Sequence, residues 1–278
     1  MIRDLASLFK LRLSLAVAFT GVAGVFLGGN QELTWLWVFL GVFLLSSGAA
    51  GLNHVQERDT DSLMQRTAMR PVAAERIIPE IALLVSLLVI LAGLILLILT
   101  TNNPTMILGA FNVLWYNVVY TPMKRKSALA FFPGALCGAI PPLMGFAATG
   151  SPWNPAIITF ALFIFLWQIP HFWLVALKYG EEYQNAGIPP ITDVFSVKIL
   201  KPLIVIWMLA TIILSQLLWL FWLPATPLFF GAFITVGFIA VVVVISGLFR
   251  GEIRYAPVFI AINSFMLFIT VAVVVMYW

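Results

Sequence analysis

Apolar residues run along this chain in long, nearly unbroken blocks, and short polar segments separate them. A helix crosses a hydrocarbon core about 30 Å thick with roughly 20 mostly apolar residues, each rising 1.5 Å. The pattern predicts nine such spans: Leu13–Gly29, Leu33–Leu52, Ile81–Leu99, Pro104–Tyr120, Ala128–Thr149, Ala156–Leu177, Pro202–Phe221, Leu228–Leu248 and Ala256–Tyr277. Two charge-free stretches, Ser127–Leu177 and Pro202–Phe249, are too long for one crossing each. Gly150–Pro155 and Pro224–Pro227 are expected to break them into hairpins, because Pro and Gly interrupt the helical hydrogen-bond ladder. The expectation is an all-α, polytopic membrane protein with a single transmembrane domain over residues 1–278.

Composition removes the soluble alternatives. Hydrophobic residues make up 62% of the 278 and charged residues 9%, with a mean hydropathy of +1.06. A soluble domain carries about 25% charged residues, so this chain in water would expose large apolar patches. Cys137 is the single cysteine and sits in an apolar run, which excludes a disulfide scaffold.

A net charge of +4 and a pI near 9.4 raise the question of nucleic acid. The basic residues are instead spread over short loops between apolar runs, the signature of membrane topology, so no nucleic-acid partner is expected. All 15 Lys and Arg residues fall in alternate connections, and the opposite connections hold only Glu32. The positive-inside rule then puts the N-terminus in the cytoplasm and the C-terminus outside. No small-residue cleavage site follows the first run and the start is not rich in Arg and Ser, so a bacterial-type plasma membrane is the expected location. Ten of the 11 acids share the basic face, eight of them crowded into Asn53–Glu80 and Lys178–Lys201. Orientation alone does not ask for acids there, so function is expected at the cytoplasmic end of the bundle.

Asn53, Glu57 and Asp61 are spaced four apart and would form one stripe if the second helix continues. Hard oxygen ligands in that arrangement suit Mg²⁺ shared with substrate phosphates; a solvated polar loop with Asp61 or Thr60 capping a short helix fits the spacing equally well. Asp59 falls on the opposite side. Arg66 and Arg70 follow, and guanidinium groups grip phosphate oxygens in pairs, although single arginines here also serve orientation or lipid contact. Lys124-Arg125-Lys126 is either an anchor or a second arm of that grip. Glu181-Glu182-Tyr183 ends the sixth span much as the first acidic cluster ends the second, which suggests two sides of one site. Within the sixth span Gln168 and His171 are costly in lipid and so are functional candidates, while His171 is equally able to bond a carbonyl freed by Pro170. Gly134, Gly138 and Gly145 thin the fifth span, for close packing or to make room for a flat ligand.

Asn53-x-x-x-Glu57-Arg-Asp-x-Asp61-x-x-Met64-x-Arg66-Thr-x-x-Arg70-Pro71 resembles the first acidic motif of the UbiA-type intramembrane prenyltransferases. Tyr120-Thr-Pro-x-Lys124-Arg125, Gly138-Ala-x-Pro141-Pro142-Leu-x-Gly145, Trp167-Gln-x-Pro170-His171-Phe172 and Glu182-Tyr183-x-x-Ala186-Gly187-x-Pro189 resemble its heme-farnesylating branch, in the expected order over nearly the whole chain. The resemblance implies a nine-helix bundle that transfers farnesyl from farnesyl diphosphate to a vinyl group of heme B, adding water to give heme O. It implies Mg²⁺ held by Glu57 and Asp61 through the diphosphate, with Asn53, Glu57, Asp61 and Glu182 as the catalytic set. Arg66, Arg70, Lys124 and Arg125 are the implied diphosphate contacts and His171 the heme contact. Its implied setting is the lipid bilayer, with heme A synthase or oxidase assembly factors as partners. Glu57 and Glu182 stand where the family usually has aspartate, keeping a carboxylate one methylene longer. A quinone precursor or other aromatic acceptor is the alternative within the family, and a heme carrier or transporter the alternative outside it.

Overall fold

The computed structural model of the chain describes residues 2–29, 32–151, 153–221 and 227–277. Two helices open it, α1 (Ile2–Leu8) and α2 (Leu11–Leu27), set at 50° to each other across an elbow at Lys10. Next come α3 (Thr34–Gln56), the short α4 (Arg58–Ser62), α5 (Pro79–Thr100) and α6 (Asn103–Leu114). A π-helical turn, Trp115–Tyr120, joins α6 to α7 (Thr121–Met123). The rest is α8 (Phe131–Ala148), α9 (Pro155–Lys178), α10 (Gly180–Asn185), α11 (Val197–Phe221), α12 (Pro227–Phe249) and α13 (Tyr255–Tyr277). Every described element is helical, so the expected all-α class holds.

Each of the nine predicted apolar stretches falls on a helix, but the helices do not themselves yield nine crossings. Among the described residues, seven are long and apolar enough to span a membrane, and an eighth counts if α1 and α2 are one bent span. The fourth predicted span, Pro104–Tyr120, is divided between α6 and the π turn, and α7 follows it. The predicted break at Pro224–Pro227 lies outside the described residues except for Pro227, which opens α12.

Helix pairs approach closely where glycines meet. A Cβ on Gly145 of α8 would run into the carbonyl oxygen of Gly21 on α2, and one on Gly24 into the carbonyl of Pro142. Packing so tight brings backbones together through small residues, as expected in lipid. Because the obstacle is backbone rather than the end of a side chain, Gly145→Ala should destabilise the bundle by about 3 kcal/mol. Thermal unfolding in detergent checks this; an unchanged midpoint would mean that α2 and α8 can part without cost. Gly134 and Gly138 have another use, facing the Tyr120 ring and the Gln168 amide.

Side chains take backbone carbonyls inside the bundle, one of them left free by a proline. Pro141 cannot donate to Cys137 one turn earlier, and the Cys137 carbonyl accepts instead from Asn112 Nδ2 at 3.0 Å. Gln168 Nε2 donates to the carbonyls of Ala135 (2.9 Å) and Ile164 (3.1 Å), stitching α9 to α8. This intramembrane glutamine therefore has a structural role at its amide nitrogen.

Candidate functional site

The ends of α3 and α9, the α1–α2 elbow and the π turn converge on one polar cavity of about 300 Å³. The spacing of the acidic motif survives the break between α3 and α4. Glu57 N–H donates to the Asn53 carbonyl (2.9 Å) and Asp61 N–H to the Glu57 carbonyl (2.7 Å), so one-turn bonds run through the junction. Asn53, Glu57 and Asp61 consequently share a face, and all three are buried, at 2%, 2% and 1% exposed. Carboxylates that far from water must be paired.

Arg70 and Lys124 supply the pairing. The Arg70 guanidinium donates through Nη1 to both oxygens of Asp61, at 2.8 and 2.7 Å, and lies 3.6 Å from Glu57 Oε2. Lys124 Nζ lies 2.6 Å from Glu57 Oε1. Burial pushes the Glu57 carboxyl up, but the Lys124 ammonium, with Lys10 and Arg70 behind it, outweighs burial and holds it below the usual glutamate range. Burial presses Lys124 the other way, and Glu57 more than compensates, so its ammonium is held above the usual lysine value. The pair is charged throughout the neutral range.

Asn53 is fixed from two sides: its Oδ1 accepts from Lys10 Nζ at 2.8 Å, and its Nδ2 donates to Thr121 Oγ1 at 3.3 Å. The loop after α4 is not regular helix, and side chains hold it. Thr67 Oγ1 donates to the Asp61 carbonyl (3.0 Å), and Arg76 bonds both Asp4 (2.8 Å) and the Met69 carbonyl (2.8 Å).

The two polar loops predicted as sides of one site do meet. Met64 packs against Ala186, Ile188 and Tyr183 of the second loop. Glu182 Oε2 accepts from the Arg66 backbone N–H at 3.1 Å, and the Arg66 guanidinium lies over the Tyr179 ring, 5.1 Å from its centroid. Glu182 thus latches one loop to the other and does not line the cavity, whereas Arg66 does so from its exposed rim. Arg125 is also outside: its guanidinium bonds the Gln56 carbonyl, and Gln56 Nε2 in turn donates to the Asn117 carbonyl within the π turn (2.9 Å). Asp61 sits just behind the lining, covered by Arg70.

Beside the polar cavity lies an apolar one of about 250 Å³, reaching between α2, α3, α6, α8 and α9. Tyr116, Tyr120, His171 and Phe172 line both cavities and so stand at their boundary. The π turn brings the two tyrosine rings to 5.5 Å, and π turns recur at functional positions. His171 is enclosed by Trp167, Phe172 and Phe259, with centroids 5.2, 5.6 and 4.9 Å away. Its Nδ1 is buried without a hydrogen bond, with the Asn263 side chain beside the ring. The expected alternative of a carbonyl freed by Pro170 is not what this nitrogen uses. Lys10, Tyr116 and Tyr120 are cavity residues that the motif reading did not assign; the quoted Tyr120–Lys124 segment was the nearest signal.

Among the described residues no three His, Cys, Asp or Glu side chains converge on one point, so an all-protein metal cage is absent. What is present, two carboxylates reached by one guanidinium nitrogen, fits a Mg²⁺ that takes its remaining ligands from phosphate and water.

Residues 14–269 match the sequence profile described as the UbiA prenyltransferase family. A protein named protoheme IX farnesyltransferase from Geobacter sulfurreducens is 42% identical over 195 residues, 69% of this chain and 72% of that one. One of the same name from Sorangium cellulosum is 40% identical over 199 residues, 71% of this chain and 70% of that one. Among solved structures, a UbiA homolog from Archaeoglobus fulgidus bound to GPP and Mg²⁺ superposes with a TM-score of 0.74 at 15% identity, covering 98% of this chain and 99% of that one. A UbiA homolog from Aeropyrum pernix superposes with a TM-score of 0.72 at 13% identity, covering 95% and 98%. At such identities the structures speak for the fold alone.

Proposed function

Since the chain belongs to the UbiA prenyltransferase family, we propose that it transfers a farnesyl group from farnesyl diphosphate to a vinyl group of heme B, with addition of water, giving heme O and free diphosphate. The observation that carries this reading is the pair of adjacent cavities that share four lining residues. One is polar and rich in cations, the other apolar, and a prenyl diphosphate has the same two halves. The choice of heme as acceptor rests on the relatives named protoheme IX farnesyltransferase.

The hard step is breaking the allylic C–O bond, which leaves charge on the departing diphosphate. Arg70 and Lys124 line the cavity that would receive the diphosphate and stabilise that charge. Glu57 and Asp61 would hold Mg²⁺ together with the diphosphate, and the ion would supply Lewis-acid stabilisation of the leaving group. Asn53, fixed by Lys10 and Thr121, orients the front of that set. Arg66, at the rim, guides the diphosphate inward. The apolar cavity keeps water from the allylic carbon until the acceptor's vinyl group is in place. His171, at the boundary between the cavities, contacts the heme. Glu182 and Arg125 serve the reaction only through the loops they tie down. The concentration of basic residues on alternate connections supports a cytoplasmic site in a bacterial-type plasma membrane.

The test is diphosphate release by purified protein with Mg²⁺ and farnesyl diphosphate, acceptor by acceptor. Release stimulated by heme B supports the reading; release stimulated only by a quinone precursor gives the family chemistry another acceptor. His171→Ala should raise the KM for heme about tenfold and leave that for farnesyl diphosphate within about twofold, as expected for a residue touching one substrate. The reverse pattern would remove His171 from the heme seat.

A further inference from the structure

Three cations with buried or half-buried side chains, Lys10, Arg70 and Lys124, surround two buried carboxylates, Glu57 and Asp61. Arg70 and Lys124 are each ion-paired to those carboxylates. Among the described residues Lys10 has no carboxylate within ion-pair distance, and its hydrogen bond goes to a neutral acceptor, Asn53 Oδ1. Burial and then the nearby Arg70 guanidinium press the Lys10 amine down to about 7; protonated, it has three donors, two of them free for whatever enters the cavity.

The backbone at Lys10 carries a second signal. Its φ of 44° and ψ of 49° lie in the left-handed region, which side chains rarely occupy. Glycine or asparagine would sit there at lower cost, yet neither brings an amine into the cavity. Strain of this kind persists where surrounding structure fixes it, and it gathers at functional sites. Here the fixing is visible. Leu8 anchors α1 against Val72 and Ala82, and Ser14 Oγ donates to the Phe9 carbonyl at 2.9 Å, so the elbow is tied on both sides of Lys10.

We propose that Lys10 binds the diphosphate of the prenyl substrate directly, as the cation beside Glu57 and Asp61 that is not itself ion-paired to a carboxylate. The assignment rests on the prenyl-transfer reading above and adds to it a residue from the far N-terminal elbow. A prenyl diphosphate carries more negative charge than one Mg²⁺ neutralises, and Lys10 inside the cavity, like Arg66 at its rim, is a cation no carboxylate has taken. The competing role is purely supportive, with Lys10 doing no more than holding the Asn53 amide.

Full-length Lys10→Met, Lys10→Arg and Lys10→Gly, in lipid nanodiscs, separate the two roles. The readouts are the affinity for inorganic pyrophosphate with Mg²⁺, the KM and kcat with farnesyl diphosphate, and the thermal midpoint. Lys10→Met is expected to weaken pyrophosphate binding about tenfold to a hundredfold, the range for a charge-assisted bond, and to raise KM for farnesyl diphosphate more than it lowers kcat. Lys10→Arg keeps the charge and should stay within about threefold of wild type. Lys10→Gly should bind as poorly as Lys10→Met while unfolding at a higher temperature, because glycine releases the left-handed strain. Unchanged pyrophosphate affinity in Lys10→Met and Lys10→Gly, with kcat or the midpoint lowered, would reduce Lys10 to a support for Asn53 and overturn the proposal. A wild type that binds neither pyrophosphate nor farnesyl diphosphate with Mg²⁺ would sink the prenyl-transfer reading and this assignment together.

Discussion

Asp61→Asn is expected to abolish prenyl transfer, lowering kcat/KM by about a thousandfold or more, in a protein that still folds. Asparagine keeps the size of aspartate and one oxygen to accept from Arg70, so the loop after α4 has its framework. The Arg70 guanidinium is still 3.6 Å from Glu57 and partly open to the cavity, which limits the cost of losing its main partner. The missing negative charge is what the reaction cannot replace, since one carboxylate of the Mg²⁺-holding pair is gone. Activity measured across a Mg²⁺ titration, with a thermal midpoint within about 5 °C of wild type, is the check. An active, Mg²⁺-dependent Asp61→Asn enzyme would take Asp61 out of the metal site.

Lys124→Met should lower kcat/KM about a hundredfold or more, the scale seen when one charge-stabilising donor is lost. Its second effect is on pH. Glu57 is held below its ordinary range against burial chiefly by Lys124, so without that ammonium the upward push of burial prevails. A carboxyl that must be ionised to work gives a rate rising with pH through its pKa. In wild type that rise therefore lies below the usual glutamate range, and in Lys124→Met it moves toward neutrality. Stability follows the same sign: the depressed Glu57 contributes above its unfolded value and loses that contribution as pH falls. The pH profiles of wild type and Lys124→Met, run side by side, settle it. Coincident profiles would mean that Lys124 does not govern Glu57.

Several parts of this site were legible in the sequence because they depend on local spacing. The interval of four from Asn53 to Glu57 to Asp61 put three oxygen ligands on one face, and hydrogen bonds through the α3–α4 junction keep them there. Arg70, nine residues on from Asp61, lies within reach of one turn of loop. The apolar blocks gave the helices because in lipid the backbone must satisfy itself. What was not legible depends on which distant elements meet. Nothing local distinguishes Arg125 from Lys124, yet one turns to the Gln56 carbonyl and the other to Glu57. Glu182 looked like a ligand by its position, but docking of Met64 against Ala186 and Ile188 brings it to a backbone N–H. Gln168 stood out because polar groups in lipid are costly; the carbonyls of Ala135 and Ile164 take its amide nitrogen, and its side chain lines the apolar cavity. Lys10 lies 43 residues from Asn53, and only the bend between α1 and α2 connects them.

The most direct measurement is mass spectrometry of the heme recovered after purified protein has been incubated with heme B, farnesyl diphosphate and Mg²⁺, with and without EDTA. The expected product is heme enlarged by one farnesyl group and the elements of one water, absent when EDTA is present. Unmodified heme from folded protein in both samples would contradict heme farnesylation as the function of this chain.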